Sequence, residues 1–182
     1  RTMRLHGINR DVFDRYQSRK PAWFYEVVAP GFKYNMPDIA AAIGVHQLRK
    51  AGAFRQRRAA IAAAYTAGLA GLPLQTPATV GPADGHAWHL YVLQLDLAAL
   101  RIGRDRVIEL LAERGIGTSV HFIPLHIQPY WRDRYGFRPG DFPRALAAYE
   151  QAVSLPIHTR LTDADVGRVI GAVRDILDGH RR

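Results

Sequence analysis

Few side chains in this sequence have the type and spacing for chemistry, and each has a structural role beside the chemical one. The amine nucleophiles are Lys20, Lys33 and Lys50, and there is no cysteine. A lysine can form a Schiff base with a carbonyl group. The lack of cysteine removes disulfides, thiolate nucleophiles and cysteine-ligated zinc. His121 and His126 invite a metal reading, but no carboxylate stands near them at ligand spacing. His86 and His89, if on a strand, point to opposite faces. Asn35 precedes Met36-Pro37-Asp38, so its amide can cap a helix or offer a hydrogen bond to an anion at that helix start. Trp23, Phe24 and Tyr25 cluster in a long loop-like stretch; Trp23 and Tyr25 either line a pocket or pack beneath the loop.

The elements that must position these groups follow from patterning. Arg1 to Arg10 shows no helix cap and no strand bounded by turns, and residues 14–31 hold Pro21, Pro30 and Gly31, a loop long enough to be functional or flexible. Asn35 to Asp38 opens a helix, with Ile39, Ile43 and Gln47 at successive fourth positions. Gly52 marks an expected break, after which an alanine-rich helix runs from about Phe54 to Ala70. His86 to Leu95 reads as a strand, residues 104–113 as a helix stopped by Gly115, and Thr118 to Phe122 as a second strand. A helix over about 142–152 precedes a strand at Ser154–Ile157. Thr162 caps a final helix with the stripe Val166, Ile170, Val173 and Leu177. The alternation of strands and helices predicts a small α/β layer, while the first third has no sheet of its own.

Composition narrows the classes. A chain of 182 residues with 48% hydrophobic and 23% charged side chains has the material for a core, no run long enough to cross a bilayer and no leader-like start. The net charge of +9 comes almost wholly from arginine spread along the chain. Its densest cluster, Arg55, Arg57 and Arg58, does not form one helical stripe, and no nucleic-acid-binding signature positions it. The surplus is read as solvated surface charge, or as charge facing an acidic partner surface.

Two segments carry a family resemblance. Gly31-Phe32-Lys33-Tyr34-Asn35-Met36-Pro37-Asp38-Ile39, continuing through Ala41-Ala42-Ile43-Gly44 and Gln47-Leu48, resembles the G-Y-K-Y-N-x-x-D-I-x-A-A-I-G-x-x-Q-L run of the DegT/DnrJ/EryC1/StrS sugar aminotransferases. Gly115-Ile116-Gly117-Thr118-Ser119-Val120-His121-Phe122-Ile123-Pro124-Leu125-His126 is similar to the R-G-I-x-T-x-x-H-x-x-P-L-H segment of the same family. Shorter pieces stand in family order: Leu5-His6-Gly7, His86 to Tyr91, Pro139 to Pro143, Ser154-Leu155-Pro156 and Leu161-Thr162.

The resemblance implies an α/β fold, the C-terminal small domain of a fold-type I PLP-dependent transferase plus a helical and loop piece of the large domain. Residues 1–50 would be the large-domain remnant with the interface and cofactor-phosphate loop, and residues 51–182 the small domain. The implied reaction moves an amino group from an amino acid, typically glutamate, to a keto sugar nucleotide with pyridoxal phosphate (PLP). Asn35 would reach the phosphate bound in the neighbouring subunit of a dimer, with Lys33 and Tyr34 beside it. His121 and Phe122 would approach the sugar-nucleotide pocket, with His126 a further candidate; a buried histidine donating to a carbonyl is the alternative for both histidines.

The family's Schiff-base lysine lies upstream of this segment, in a serine- and histidine-containing loop without counterpart here, so Lys33 is at most a charge near the phosphate or the interface. PLP is therefore not expected to be held covalently by these residues. The expected partners are an N-terminal half-chain carrying that lysine, a second subunit and a nucleotide sugar; membrane and nucleic acid are not expected, and the location is cytoplasmic. A split enzyme, a non-catalytic remnant and a binding module of the same fold remain as alternatives.

Overall fold

A computed structural model describes residues 2–9, 25–79, 81 and 85–182. The loop aromatics Trp23 and Phe24, together with Lys20 and Pro21, lie outside the described residues. The chain divides into two compact units, residues 1–50 and 51–182, and its elements are α1 (Asp38–Gly68), β1 (Leu74–Gln75), β2 (Tyr91–Leu95), α2 (Arg104–Glu113), α3 (Pro129–Tyr135), α4 (Pro143–Gln151), β3 (Ala152–Leu155) and α5 (Asp163–Gly179).

In the first unit the chain folds back on itself through short antiparallel pairings. Leu5 bridges Lys33, and Ile8 bridges Val27. The Phe32 and Tyr34 amides donate to the Met3 and Arg4 carbonyls, each at 2.7 Å, and the His6 amide donates to the Phe32 carbonyl at 2.9 Å. Two glycines permit this approach. A Cβ on Gly7, at φ +72°, would sit 1.7 Å from the Ala29 oxygen, and one on Gly31 would sit 2.0 Å from the Gly7 nitrogen. No L side chain fits at that distance. The early turns of α1 leave Ile39, Ile43 and Leu48 exposed at 80%, 59% and 77%.

The second unit is built on an antiparallel sheet ordered β1-β2-β3. Tyr91, Leu93 and Leu95 of β2 are buried and alternate with half-buried Val92 and Gln94, the period of two that places one face on the core. Val107 and Leu111 of α2, Ile61, Tyr65 and Leu69 around the end of α1, and Val166, Val169, Val173, Ile176 and Leu177 of α5 complete that core. Burying each of these aliphatic side chains contributes about 1.5–3 kcal/mol. Thr162 caps α5: its hydroxyl accepts from the Asp165 amide at 3.1 Å, and the Asp165 carboxylate accepts from the Thr162 amide at 3.0 Å.

Several sequence expectations are corrected. Helix α1 runs unbroken through Gly52, because alanine-rich flanks sustain it and nothing lies within 4 Å of where a Cβ would be; one exposed helical glycine costs only about 1 kcal/mol. The strand expected over His86–Leu95 starts at Tyr91. Upstream, Trp88 takes φ +48° and its amide donates to the His86 ring at 2.9 Å, a local turn. Thr118 to Phe122 is no regular strand; only Ser119 bridges, to Ser154. The last strand lies two residues earlier than expected, at Ala152–Leu155, since sheet pairing with β2 outweighs the weak strand preference of alanine. The pairing of β1 with β2 had no sequence signal, being two residues long.

Candidate functional site

In the second unit the site forms where the segment after α2 meets β3. Helix α2 ends at Glu113; just past its cap Gly115 takes φ +72°, and Ile116 inserts into the core. Ser119 then exchanges both backbone hydrogen bonds with Ser154, at 2.7 and 3.2 Å. This pairing carries His121 to β3, where its Nδ1 lies 2.8 Å from the hydroxyl of Ser154, a side chain only 4% exposed. A shallow cleft of about 230 Å³ opens here, lined by His89, Thr118, Ser119, His121 and Ser154 with Pro156 at its side. Two imidazoles and three hydroxyls give it donors and acceptors suited to an oxygen-rich ligand.

The wall of this cleft is anchored from behind. The Tyr65 hydroxyl donates to the Pro156 carbonyl at 2.8 Å, and the Tyr91 and Thr66 hydroxyls lie 2.7 Å apart. Burial pushes the Tyr65 phenol up to about 12 from 10.0, with Tyr91 and Asp165 adding to the rise; burial raises Tyr91 as well. Both phenols therefore stay neutral donors across the physiological range. Arg57 pairs with Asp163 at 2.7 Å and donates to the Leu161 carbonyl, tying α1 to the start of α5.

The other two candidates on this unit are placed differently. Phe122 is 74% exposed, its ring edge-on to that of His121 at 4.6 Å, and it does not line the cleft. His126 is 7% exposed, with Nε2 at 3.2 Å from the Pro139 carbonyl and its ring 4.9 Å from that of Phe142. It lines a separate apolar groove of about 510 Å³ with Trp131, Tyr135 and Phe137. His121 and His126 thus serve different surroundings.

On the first unit, Lys33, Tyr34 and Asn35 follow one another on the paired segment and are all exposed. Phe32 and Tyr34 stack at 5.1 Å with planes 7° apart, which sets Lys33 on the alternate side. Helix α1 begins at Asp38, so Asn35 lies outside the cap position, and among the described residues its side-chain amide has no hydrogen-bond partner. It is free to bind. Sequence reasoning missed Ser154 as a site residue, although Ser154-Leu155-Pro156 stood among the short family pieces; a contact across 33 residues has no local signature. No helix among the described residues is long and apolar enough to cross a membrane.

Comparison with known proteins gives this geometry its context. The family model for the DegT/DnrJ/EryC1/StrS aminotransferase family matches residues 1–174. An uncharacterized protein of Methanocaldococcus jannaschii is 46% identical over 179 residues, covering 98% of this chain and 46% of that protein. The spore coat polysaccharide biosynthesis protein SpsC of Bacillus subtilis is 43% identical over 180 residues, again 98% of this chain and 46% of its own length. Among solved structures, a putative sugar aminotransferase from Streptococcus pneumoniae in its PMP-form superposes with a TM-score of 0.81 at 31% identity, covering 98% of this chain and 44% of that one; its PLP-form also matches. The α/β architecture is that of the fold-type I sugar aminotransferases. The chain spans less than half the length of these relatives.

Proposed function

Because the chain belongs to the DegT/DnrJ/EryC1/StrS aminotransferase family, we propose that it is the C-terminal part of a sugar aminotransferase. The reaction transfers an amino group from an amino acid, glutamate in our reading, to a keto sugar nucleotide. The observation that carries this is the family match over residues 1–174, which takes in both the Asn35 segment and the His121 segment. The names of the Bacillus and Streptococcus relatives support a sugar substrate in polysaccharide or aminosugar synthesis. In this reading residues 1–50 belong to the large domain and its interface, residues 51–182 form the small domain, and the enzyme works in the cytoplasm as a dimer.

The residues present fit the family's cofactor on its phosphate side. An exposed amide with no partner among the described residues, three positions ahead of α1, can donate to a phosphate oxygen. Asp38 already places a negative charge in the first turn of that helix, so the Asn35 amide, rather than the helix terminus, is the better donor. Lys33 adds a nearby positive charge, and Tyr34 stands beside both. When bound, PLP supplies the electron sink for the transfer. In this reading His121 and its cleft position the sugar; Phe122 stands exposed against the His121 ring, and His126 serves the separate apolar groove.

The lysine that carries the cofactor comes, in this proposal, from sequence outside these 182 residues, as a separate N-terminal half. Exposed Ile39, Ile43 and Leu48 support a missing covering surface. Co-expression with the coding sequence immediately upstream tests this. A stable complex with the visible absorbance of bound cofactor, and amino transfer from glutamate to a keto sugar nucleotide, is the expected result. A complex that neither binds cofactor nor transfers nitrogen would refute it.

A further inference from the structure

We infer that Ser154 is a positioning residue that fixes the tautomer of His121, so that the cleft presents a hydrogen-bond donor to its ligand. This rests on the reading of His121 as a sugar-side residue. Ser154 is 4% exposed, and its hydroxyl hydrogen needs an acceptor, because a buried unpaired donor costs about 1–3 kcal/mol. Among the described residues its one side-chain partner is His121 Nδ1, at 2.8 Å. The Ser154 amide and carbonyl are both committed to Ser119.

The hydroxyl therefore donates to Nδ1, and the ring proton of neutral His121 sits on Nε2. Among the described residues Nε2 has no partner of its own. It is the nitrogen left for a ligand in the cleft shared with Thr118 and His89. An Nε2–H donor pairs with a hydroxyl, keto or phosphate oxygen and disfavours an ammonium. In this state His121 binds and orients; it does not accept a proton from substrate. The arrangement is robust because Ser154 is held by strand pairing at Val92 and by the Ser119 bridge, not by a loop.

The test reads the ring nitrogens directly. Histidine-selective ¹⁵N spectra of the full chain, with His121 assigned by its absence in His121→Gln, should show one fixed Nε2–H tautomer. Ser154→Ala should give mixed tautomers, and Ser154→Thr, which keeps the hydroxyl, should restore the single form. A wild-type His121 protonated at Nδ1, a measurement that needs no variant, would overturn the inference, as would identical His121 shifts in Ser154→Ala. In the complemented enzyme, Ser154→Ala should raise KM for the sugar nucleotide about fivefold with kcat nearly unchanged. If Ser154→Ala shifts the tautomer while His121→Gln leaves KM unaltered, the sugar-side reading of His121 fails and the Ser154 assignment stands.

Discussion

Tyr65→Phe offers a quantitative test of how the cleft wall is held. Tyr65 is fully buried and its hydroxyl donates to the Pro156 carbonyl at 2.8 Å, so the substitution removes a hydrogen bond and leaves that carbonyl without this donor. The expected cost at pH 7 is about 1–1.5 kcal/mol. The same hydroxyl makes wild type sensitive to alkali. Its pKa is raised from 10.0 to about 12 in the folded state, so its contribution is complete below pH 10 and is lost as pH rises through 12. At about pH 11 the loss from Tyr65 reaches about 1.4 kcal/mol, and it approaches a little under 3 kcal/mol above pH 12. Tyr65→Phe has no phenol there to ionise, whereas Tyr91, also raised, titrates in both proteins. Urea unfolding followed by tryptophan fluorescence at a series of pH values should therefore give curves that converge and cross near pH 11. Parallel curves from pH 8 to 12 would show that Tyr65 is not a buried neutral donor, and the account of the cleft wall would fall with it.

Three other perturbations have definite outcomes. Thr162→Ala should cost about 1 kcal/mol in urea unfolding by removing the cap of α5. It should also flatten the acid limb of stability: Thr162 hydrogen bonds hold the Asp165 carboxyl below its ordinary value, a contribution present above that value and lost as pH falls through the folded one. Gly7→Ala should break the pairing that carries Lys33 to Asn35, at a cost of at least about 2 kcal/mol to that segment; cofactor absorbance of the complemented enzyme should vanish while the fluorescence of the residue 51–182 core stays native. Asn35→Ala should weaken PLP binding about thirtyfold, measured by cofactor titration, if its amide donates to the phosphate.

What could be read from the sequence depended on how local each cause was. Helices α2 and α5 were legible at the residue level because Gly115 and Thr162 are end signals within one turn of the residues they stop or start. The strand through Trp88 was overdrawn because aromatic content resembles strand content, whereas Trp88 takes a left-handed backbone with its ring against those of Tyr91 and His86. Gly52 was over-weighted as a breaker because its flanking alanines were not weighed against it. His121 was legible as a site residue only through its family motif, and nothing near it in the chain announces Ser154. The apolar groove around Trp131 and Phe142 was likewise invisible, since its residues come from three stretches, 124–126, 131–137 and 142–145, separated by prolines and a glycine.

Helix α1 has a consequence for motion. Its last turns bury Ile61, Ala62 and Tyr65 at 1% exposure or less, while its first turns hold Ile39, Ile43 and Leu48 open to solvent and contain Gly44. Among the described residues those first turns bury no side chain, and exposed backbone hydrogen bonds open at little cost. Amide exchange along this single helix should therefore run as a gradient, fast from Asp38 to about Lys50 and slow from Ile61 onward. A covering surface that captured the first half would slow exchange there and leave the second half almost unchanged, making the helix its own gauge of assembly.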